Sequence, residues 1–227
     1  MKNRLVCIPY AGASAAMYNP FRAELPCIEV YPLDIAGKGG RVAEKNHDTF
    51  KEAAADCAGA ILDIGGYETI SLFGYSMGGL LVYEAAMLIF QRFGALPRNI
   101  FIAACNPPRM SGQREAYSKY SDAALIEYLL GMGGIDDELL NYPDFKEFFL
   151  PIIRYDFALL ESYRHNDNVV QLPIKLNILY SDDEESVFEW DAYSSCSCSY
   201  HHFDGGHFFI NNSCKCVCEL IKNVIFT

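Results

Sequence analysis

Short apolar runs alternate along this chain with longer segments in which apolar residues recur at helical spacing. The short runs predict buried strands, and the spaced segments predict helices between them. The predicted strands cover residues 4–9, 28–33, 69–73, 99–104, 174–180 and 199–203. The predicted helices lie around residues 17–25, at 50–64, at 77–93, near 184–193 and after residue 206. We expect an α/β fold with a mostly parallel central sheet, flanked by helices and joined by right-handed crossovers.

The alternation stops between residues 106 and 171, where the apolar spacing is helical and aromatic residues are dense. The polar pair at 121–122 can cap a first helix, and Pro151 should break or kink a second one. The aromatic side chains would either pack onto the sheet or line an apolar channel. We therefore expect a helical insertion at 106–171 within a single domain spanning 1–227, an ordinary length for one α/β domain.

Residues 74–78, Gly-Tyr-Ser-Met-Gly, match the Gly-x-Ser-x-Gly pattern of a strand-to-helix turn that exposes a serine. The pattern alone is weak, because matches of this length arise by chance. Its context strengthens it, since a predicted strand ends at residue 73 and a predicted helix begins at residue 77. Small neighbours let the two elements approach while the serine adopts a strained backbone. Ser76 is therefore the candidate nucleophile.

A serine hydroxyl is barely ionised at neutral pH, so Ser76 needs a base within reach and a third group to orient that base. The expected chain order in such a fold is serine, acid, histidine. His207 is the last of five histidines and follows a predicted strand, between glycines and a helix start. We predict His207 as the base. The remaining histidines fall in polar segments or inside a strand, where structural or solvated roles are expected: His47, His165, His201 and His202.

The acid should follow the predicted strand at 174–180, because catalytic groups in open α/β sheets gather at the carboxyl ends of strands. Asp182 and Asp183 both qualify. The acidic run at 182–185 also has a simpler interpretation, as a solvated turn that caps the next helix. We predict Asp183 as the triad acid, with Asp182 as the alternative.

An oxyanion hole requires two backbone N–H donors, one from the residue after the nucleophile and one from the first strand-to-helix loop. Met77 supplies the first donor. In the small-residue loop at 10–14, Ala11 is the leading position for the second, with Gly12 a close rival. The same loop could also be no more than a glycine-bearing turn.

Five separated motifs, in the right order, resemble the stand-alone type II thioesterases that accompany nonribosomal peptide and polyketide synthases. They are Ile-Pro-Tyr-Ala-Gly-Ala-Ser-Ala at 8–15, Tyr-Pro at 31–32 with Gly-Lys-Gly-Gly-Arg at 37–41, Gly-Tyr-Ser-Met-Gly-Gly at 74–79, Arg-Tyr-Asp-Phe-Ala-Leu-Leu-Glu-Ser-Tyr-Arg at 154–164, and Phe-Asp-Gly-Gly-His-Phe-Phe at 203–209. The resemblance implies an α/β-hydrolase fold in which the helical insertion is a lid over the serine. It also implies Ser76 as nucleophile, His207 as base and an aspartate after the late strand as acid.

The activity implied by the resemblance is removal of acyl groups, through an acyl-enzyme, from the phosphopantetheine arm of acyl or peptidyl carrier proteins. The arm belongs to the substrate, so no cofactor is expected. Four residues depart from the family pattern: Tyr10 and Tyr75, where histidine is common, and Ala13 and Ser181, where glycine is common. These departures concern the oxyanion loop and the acid, and leave the nucleophile and base unchanged.

Charge and composition restrict the partners. Eighteen Lys and Arg against 29 Asp and Glu give a net charge of -11, which opposes binding to nucleic acid or to an anionic membrane. No stretch fits a signal peptide or a membrane span, so we expect a cytoplasmic protein, and a monomer. A single residue separates Cys196 from Cys198, whereas paired zinc ligands usually have two to four residues between them, so no metal is expected.

Docking of an acidic carrier protein would need local positive charge. The candidates near the insertion are Arg109, Arg114, Lys119, Arg154 and Arg164.

Two other functions fit the same residues. A carboxylesterase acting on small soluble esters would use the same triad. A noncatalytic protein could keep the fold and use the space beneath the insertion to capture a ligand or a partner.

Overall fold

The computed structural model describes residues 3–111, 116–135, 137–142, 144–165 and 170–227. Six parallel strands form one sheet with the order β2-β1-β3-β4-β5-β6. The strands are β1 Asn3–Ile8, β2 Ile28–Pro32, β3 Ile70–Tyr75, β4 Asn99–Ala103, β5 Leu176–Tyr180 and β6 Ser199–His202. The helices are α1 Asn19–Glu24, α2 Phe50–Asp63, α3 Met77–Phe93, α4 Pro108–Ser111, α5 Asp122–Gly131, α6 Leu150–Glu161 and α7 Ile210–Phe226. This architecture confirms the predicted α/β fold with a parallel sheet.

The sheet is buried on both faces because successive side chains of a strand point to opposite sides. In β1, Val6 and Ile8 face a core shared with α2 and α3, whereas Leu5 and Cys7 face a second core shared with α1 and α7. Helices therefore cover both faces of the sheet. The carboxyl ends of the parallel strands meet at one edge, where the loops that follow β1, β3 and β5 lie together.

Local sequence explains where several elements begin and end. Thr49 and Glu52 form a capping box at the start of α2, and Gly94, with a positive φ of 66°, ends α3. The helix predicted near 184–193 is instead a run of 3₁₀ turns at Val187–Tyr193. At Pro151 the predicted break is a π-helical turn at Phe145–Phe149 that leads into α6, with the proline in the first turn of that helix.

Between β4 and β5 the described residues form helices and helical turns without a strand, as predicted for this part of the chain. These inserted helices have a small core of their own, made by Leu125, Leu129, Phe145, Leu150 and Ile153. Phe148 and Phe149 are exposed, so the aromatic side chains are only partly used for packing. Within the described part of the chain, no helix combines the length and apolar character needed to cross a membrane.

Candidate active site

Ser76 occupies the sharp turn between β3 and α3. Its backbone angles, φ 51° and ψ -113°, lie in a region that side chains other than glycine rarely adopt. The turn is possible because its neighbours lack side chains. A Cβ at Gly74 would lie 2.1 Å from the carbonyl oxygen of Gly78, and a Cβ at Gly78 would lie 2.1 Å from that of Ile8. The glycines of the motif thus let the strand and the helix approach closely enough to hold the serine in this geometry.

His207 lies on a 3₁₀ turn between β6 and α7, and its Nε2 is 3.1 Å from Ser76 Oγ. The structure therefore brings together the predicted nucleophile and base, which are 131 residues apart in the chain. The side chain of His207 is 16% exposed, so water reaches it only from one side.

Tyr75, the residue before the nucleophile, supports the histidine loop. Its hydroxyl donates a hydrogen bond to the carbonyl oxygen of His207 at 2.7 Å and accepts one from the N–H of Ile210 at 3.3 Å. Burial raises the pKa of Tyr75, which keeps the hydroxyl protonated and able to donate. This contact was missed from the sequence, where Tyr75 appears only as a departure from the family pattern.

The carboxylate that contacts the imidazole belongs to Glu184. Its Oε1 is 2.9 Å from His207 Nδ1, and its side chain is 2% exposed. The other oxygen, Oε2, accepts hydrogen bonds from the backbone N–H of Ser181 at 2.8 Å and from the Ser181 hydroxyl at 2.9 Å. Both oxygens of this buried carboxylate therefore have hydrogen-bond partners, which fix its position behind the imidazole.

The geometry corrects the prediction for the acid. Asp183 Oδ2 accepts the backbone N–H of His207 at 2.6 Å and does not contact the ring, while Asp182 Oδ1 pairs with His202 Nε2 at 3.0 Å. A turn in which the Glu184 N–H donates to the Ser181 carbonyl points the fourth residue inward and leaves both aspartates exposed. The acidic run at 182–185 contained the acid, but its third member has the right direction and reach.

The backbone donors predicted for the oxyanion hole lie at the start of α3 and in the loop after β1. Met77 is the first residue of α3, so its N–H has no carbonyl partner within the helix. Gly12, the rival for the second donor, already donates its N–H to Asp156 Oδ2 at 2.6 Å. Ala11 has no such acceptor among the described residues. Of the two positions predicted for the second donor, Ala11 is therefore the one whose N–H is not already used in this way.

Aromatic side chains surround the histidine. The ring of Tyr10 meets the rings of Tyr75 and Phe208 edge-on, with centroids 6.0 and 5.1 Å away. A Cβ at Gly134, in the inserted helices, would lie 3.0 Å from Phe208, so the insertion approaches the site here. A separate cavity of about 480 Å³ runs along α2 and α3, and neither Ser76 nor His207 is among its lining residues.

A hydroxyl on a strained strand-to-helix turn, an imidazole within reach of it and a buried carboxylate behind the imidazole define a serine hydrolase of the α/β-hydrolase fold. A family model described as a thioesterase domain matches residues 3–225. The chain therefore belongs to the thioesterase family, and is a hydrolase of that family.

Individual relatives agree with this assignment. Thioesterase PikA5 of Streptomyces venezuelae is 26% identical over 226 residues, covering 97% of this chain and 80% of the relative. RedJ, a thioesterase from the prodiginine biosynthetic pathway in Streptomyces coelicolor, superposes with a TM-score of 0.89 at 29% identity, over 97% of this chain and 89% of RedJ. The type II thioesterase BorB from the borrelidin biosynthetic cluster gives a TM-score of 0.86 at 25% identity, over 98% and 92%. The family and fold that the sequence motifs predicted are thus confirmed.

Proposed function

We propose that this chain is an editing thioesterase that hydrolyses acyl groups from the phosphopantetheine arm of carrier proteins. The observation that carries the proposal is the continuous path Ser76 Oγ, His207, Glu184, with contacts of 3.1 and 2.9 Å, in a chain of the thioesterase family. The relatives named for biosynthetic pathways support a role in nonribosomal peptide, polyketide or related biosynthesis.

The reaction would proceed in two halves. His207 Nε2 takes the proton of Ser76 as Oγ attacks the thioester carbonyl, and the N–H groups of Met77 and Ala11 stabilise the oxyanion. The C–S bond then breaks, and the imidazolium returns its proton to the leaving thiolate, which frees the arm as a thiol. Water, deprotonated by the same imidazole, attacks the Ser76 ester; the C–O bond to Ser76 then breaks, the imidazolium returns the proton to Oγ, and the carboxylic acid is released. Glu184 holds Nδ1–H and stabilises the imidazolium in both halves.

The proposed steps use only these side chains and the two backbone N–H groups, so the proposal includes no cofactor and no metal. We further propose that the enzyme acts as a cytoplasmic monomer. The inserted helices would act as a lid that shields the acyl chain, since residue Gly134 approaches Phe208 beside the base.

The contacts of the predicted basic residues reduce the number of positions that we propose for carrier-protein docking. Arg154 binds the Ser118 carbonyl and Asp122, and Arg164 binds backbone carbonyls at the end of α6, so both have local roles. Arg109 and Lys119 are exposed and have no acidic partner within the described residues. Arg114 lies outside the described residues. We propose Arg109 and Lys119 as the positions that meet the acidic carrier protein or the phosphate of its arm.

The deciding experiment compares carrier-bound and free substrates. Turnover should be measured for one acyl group presented on a carrier protein, on free pantetheine and as a small soluble ester, with Ser76→Ala as the blank. A clear kcat/KM preference for the carrier-bound form supports the proposal. Preference for the soluble ester would identify a carboxylesterase instead. If a fluorophosphonate failed to label Ser76, the noncatalytic alternative would replace both.

A further inference from the structure

A buried ion pair and a hydrogen bond to the same carboxylate join three segments that are distant in the chain. Lys38 Nζ, in the loop after β2, lies 2.6 Å from Asp156 Oδ2 of the inserted helix α6. The two side chains are 3% and 0% exposed. The same carboxylate oxygen accepts the N–H of Gly12, from the loop after β1, at 2.6 Å. One oxygen atom thus ties the first loop of the fold to the insertion.

The contact between the loop and α6 is also a tight steric one. Gly12 has a φ of +86°, and a Cβ built there would lie 2.7 Å from Cγ1 of Ile153. Ile153 and Asp156 are three residues apart and therefore share one face of α6. Glycine is needed at position 12 for both its backbone conformation and this close approach.

Burying these two charges costs desolvation free energy, which the attraction between them can fail to offset. Burial raises the pKa of Asp156, and the Lys38 ammonium and the Gly12 N–H act in the opposite direction. Asp156 Oδ1 is buried and has no hydrogen-bond partner among the described residues. Apolar residues often replace such pairs without loss of stability, so net stability alone is a weak reason for the pair and its contacts suggest a positioning role.

The hydrogen bonds of the turn at 10–13 indicate which backbone groups the buried carboxylate positions. The turn at 10–13 is closed by the Ala13 N–H, which donates to the Tyr10 carbonyl at 3.1 Å. The Gly12 N–H points to Asp156, and this fixes the orientation of the peptide between Ala11 and Gly12. The Ala11 N–H belongs to the preceding peptide, whose Tyr10 carbonyl accepts the Ala13 N–H, and it has no acceptor in the described structure.

We propose that Asp156, neutralised by Lys38, is a positioning residue that holds the Gly12 N–H and so aims the Ala11 N–H at the oxyanion. The inference rests on the proposed role of Ala11 in the reaction. It adds that α6 is coupled to the oxyanion hole through Asp156. The position of the insertion then affects transition-state stabilisation as well as substrate binding.

The test uses two variants that both remove the buried charges. Lys38→Met with Asp156→Asn keeps an oxygen acceptor for the Gly12 N–H, whereas Lys38→Met with Asp156→Leu removes it. The readout is the inhibition constant of a secondary alcohol divided by that of the matching alkyl trifluoromethyl ketone, whose adduct with Ser76 carries an oxyanion. This ratio reports oxyanion stabilisation independently of acyl binding.

We expect the Leu variant to lose about tenfold or more of this ratio, because complete loss of one oxyanion donor typically costs about 10²–10³ in rate. Its kcat should fall by a similar factor with little change in KM. The Asn variant should recover most of the ratio. Tyr163→Phe, which removes a hydrogen bond between the segment after α6 and Glu84, serves as the control for a general loosening of the insertion and should leave the ratio unchanged.

An equal ratio in the Leu and Asn variants would overturn the proposal, as would an equal loss in Tyr163→Phe. If the Leu variant does not fold, backbone NMR of the wild-type protein decides. Addition of the ketone should shift the Ala11 amide strongly and leave the Gly12 amide little changed, and the reverse pattern refutes the assignment. Because the probe is a ketone, this test can succeed even if carrier proteins are not the substrates, so the two proposals fail separately.

Discussion

Replacement of Glu184 by glutamine tests the acid of the triad most directly. The backbone N–H and the hydroxyl of Ser181 both donate to Oε2, so the glutamine should place its carbonyl oxygen there. Its NH₂ group would then face His207 Nδ1, 2.9 Å away in the wild type, and force that nitrogen to accept. The ring proton moves to Nε2, which must donate to Ser76 instead of accepting its proton. The variant thus keeps the shape of the site but selects the wrong tautomer.

The expected loss in kcat for Glu184→Gln is about 10³–10⁴, the size found when the equivalent carboxylate of a serine protease becomes an amide. Low exposure of Glu184, 2%, means that water does not screen the lost charge. The assay is the single-turnover acylation rate with a chromogenic ester, measured beside thermal unfolding to show that the variant is folded.

Asp183→Asn is the matched comparison. Asp183 accepts only the backbone N–H of His207 within the described structure, and the asparagine oxygen can still accept it. We expect acylation within about tenfold of the wild type, because one hydrogen bond to a charged acceptor contributes about 1.5–3 kcal/mol and the amide retains part of it. A large loss in Asp183→Asn together with a small loss in Glu184→Gln would refute our reasoning about the acid.

Three further predictions concern two residues of the site and one half-buried carboxyl group on α3. Tyr75→Phe removes the donor to the main-chain carbonyl of the base and should cost about 1–3 kcal/mol of unfolding free energy, measured in urea, with a lower kcat. Gly78→Ala places a Cβ 2.1 Å from a β1 carbonyl oxygen and should cost about 3 kcal/mol or more, visible as a lower melting temperature. Burial raises the pKa of Glu84, so the folded state binds its proton more readily, and the resulting stability is present at low pH and lost as the pH rises. Glu84→Gln should therefore gain stability over the wild type as the pH rises above 4.5, the ordinary pKa of glutamate, and an unchanged difference in urea titrations would contradict the sign.

Periodicity was sufficient for the fold because the strands are short, apolar and buried on both faces. The predicted helix at 77–93 has the bounds of α3. The predicted start of α2 at residue 50 is also correct, and a capping box stabilises that end of the helix. The segment at 184–193 was predicted as a helix but forms 3₁₀ turns. Its residues make contacts with the core at Val187, Trp190 and Tyr193, a spacing of three that suits 3₁₀ as well as α-helical geometry.

The nucleophile and the base could be predicted because each depends on local backbone. Ser76 needs the glycines around it, and His207 needs the loop between β6 and α7. The acid depends instead on which of four consecutive acidic side chains turns inward, and nothing in the local pattern decides that. The Lys38–Asp156 pair was missed for a related reason, since its partners are 118 residues apart and meet only in the folded protein.

Two departures from the family pattern acquire a physical role in the structure. Ser181 stands where glycine is common, and its hydroxyl donates to Glu184. Tyr75 stands where histidine is common, and its hydroxyl donates to the backbone of His207. A glutamate side chain has one more rotatable bond than an aspartate and loses more conformational entropy when it is fixed. The extra donor from Ser181 offsets this loss by holding the carboxylate, while Tyr75 holds the backbone of the histidine whose ring the carboxylate must meet. The two departures therefore act on the two ends of one hydrogen bond, and a serine at 181 is an advantage only because the acid is Glu184.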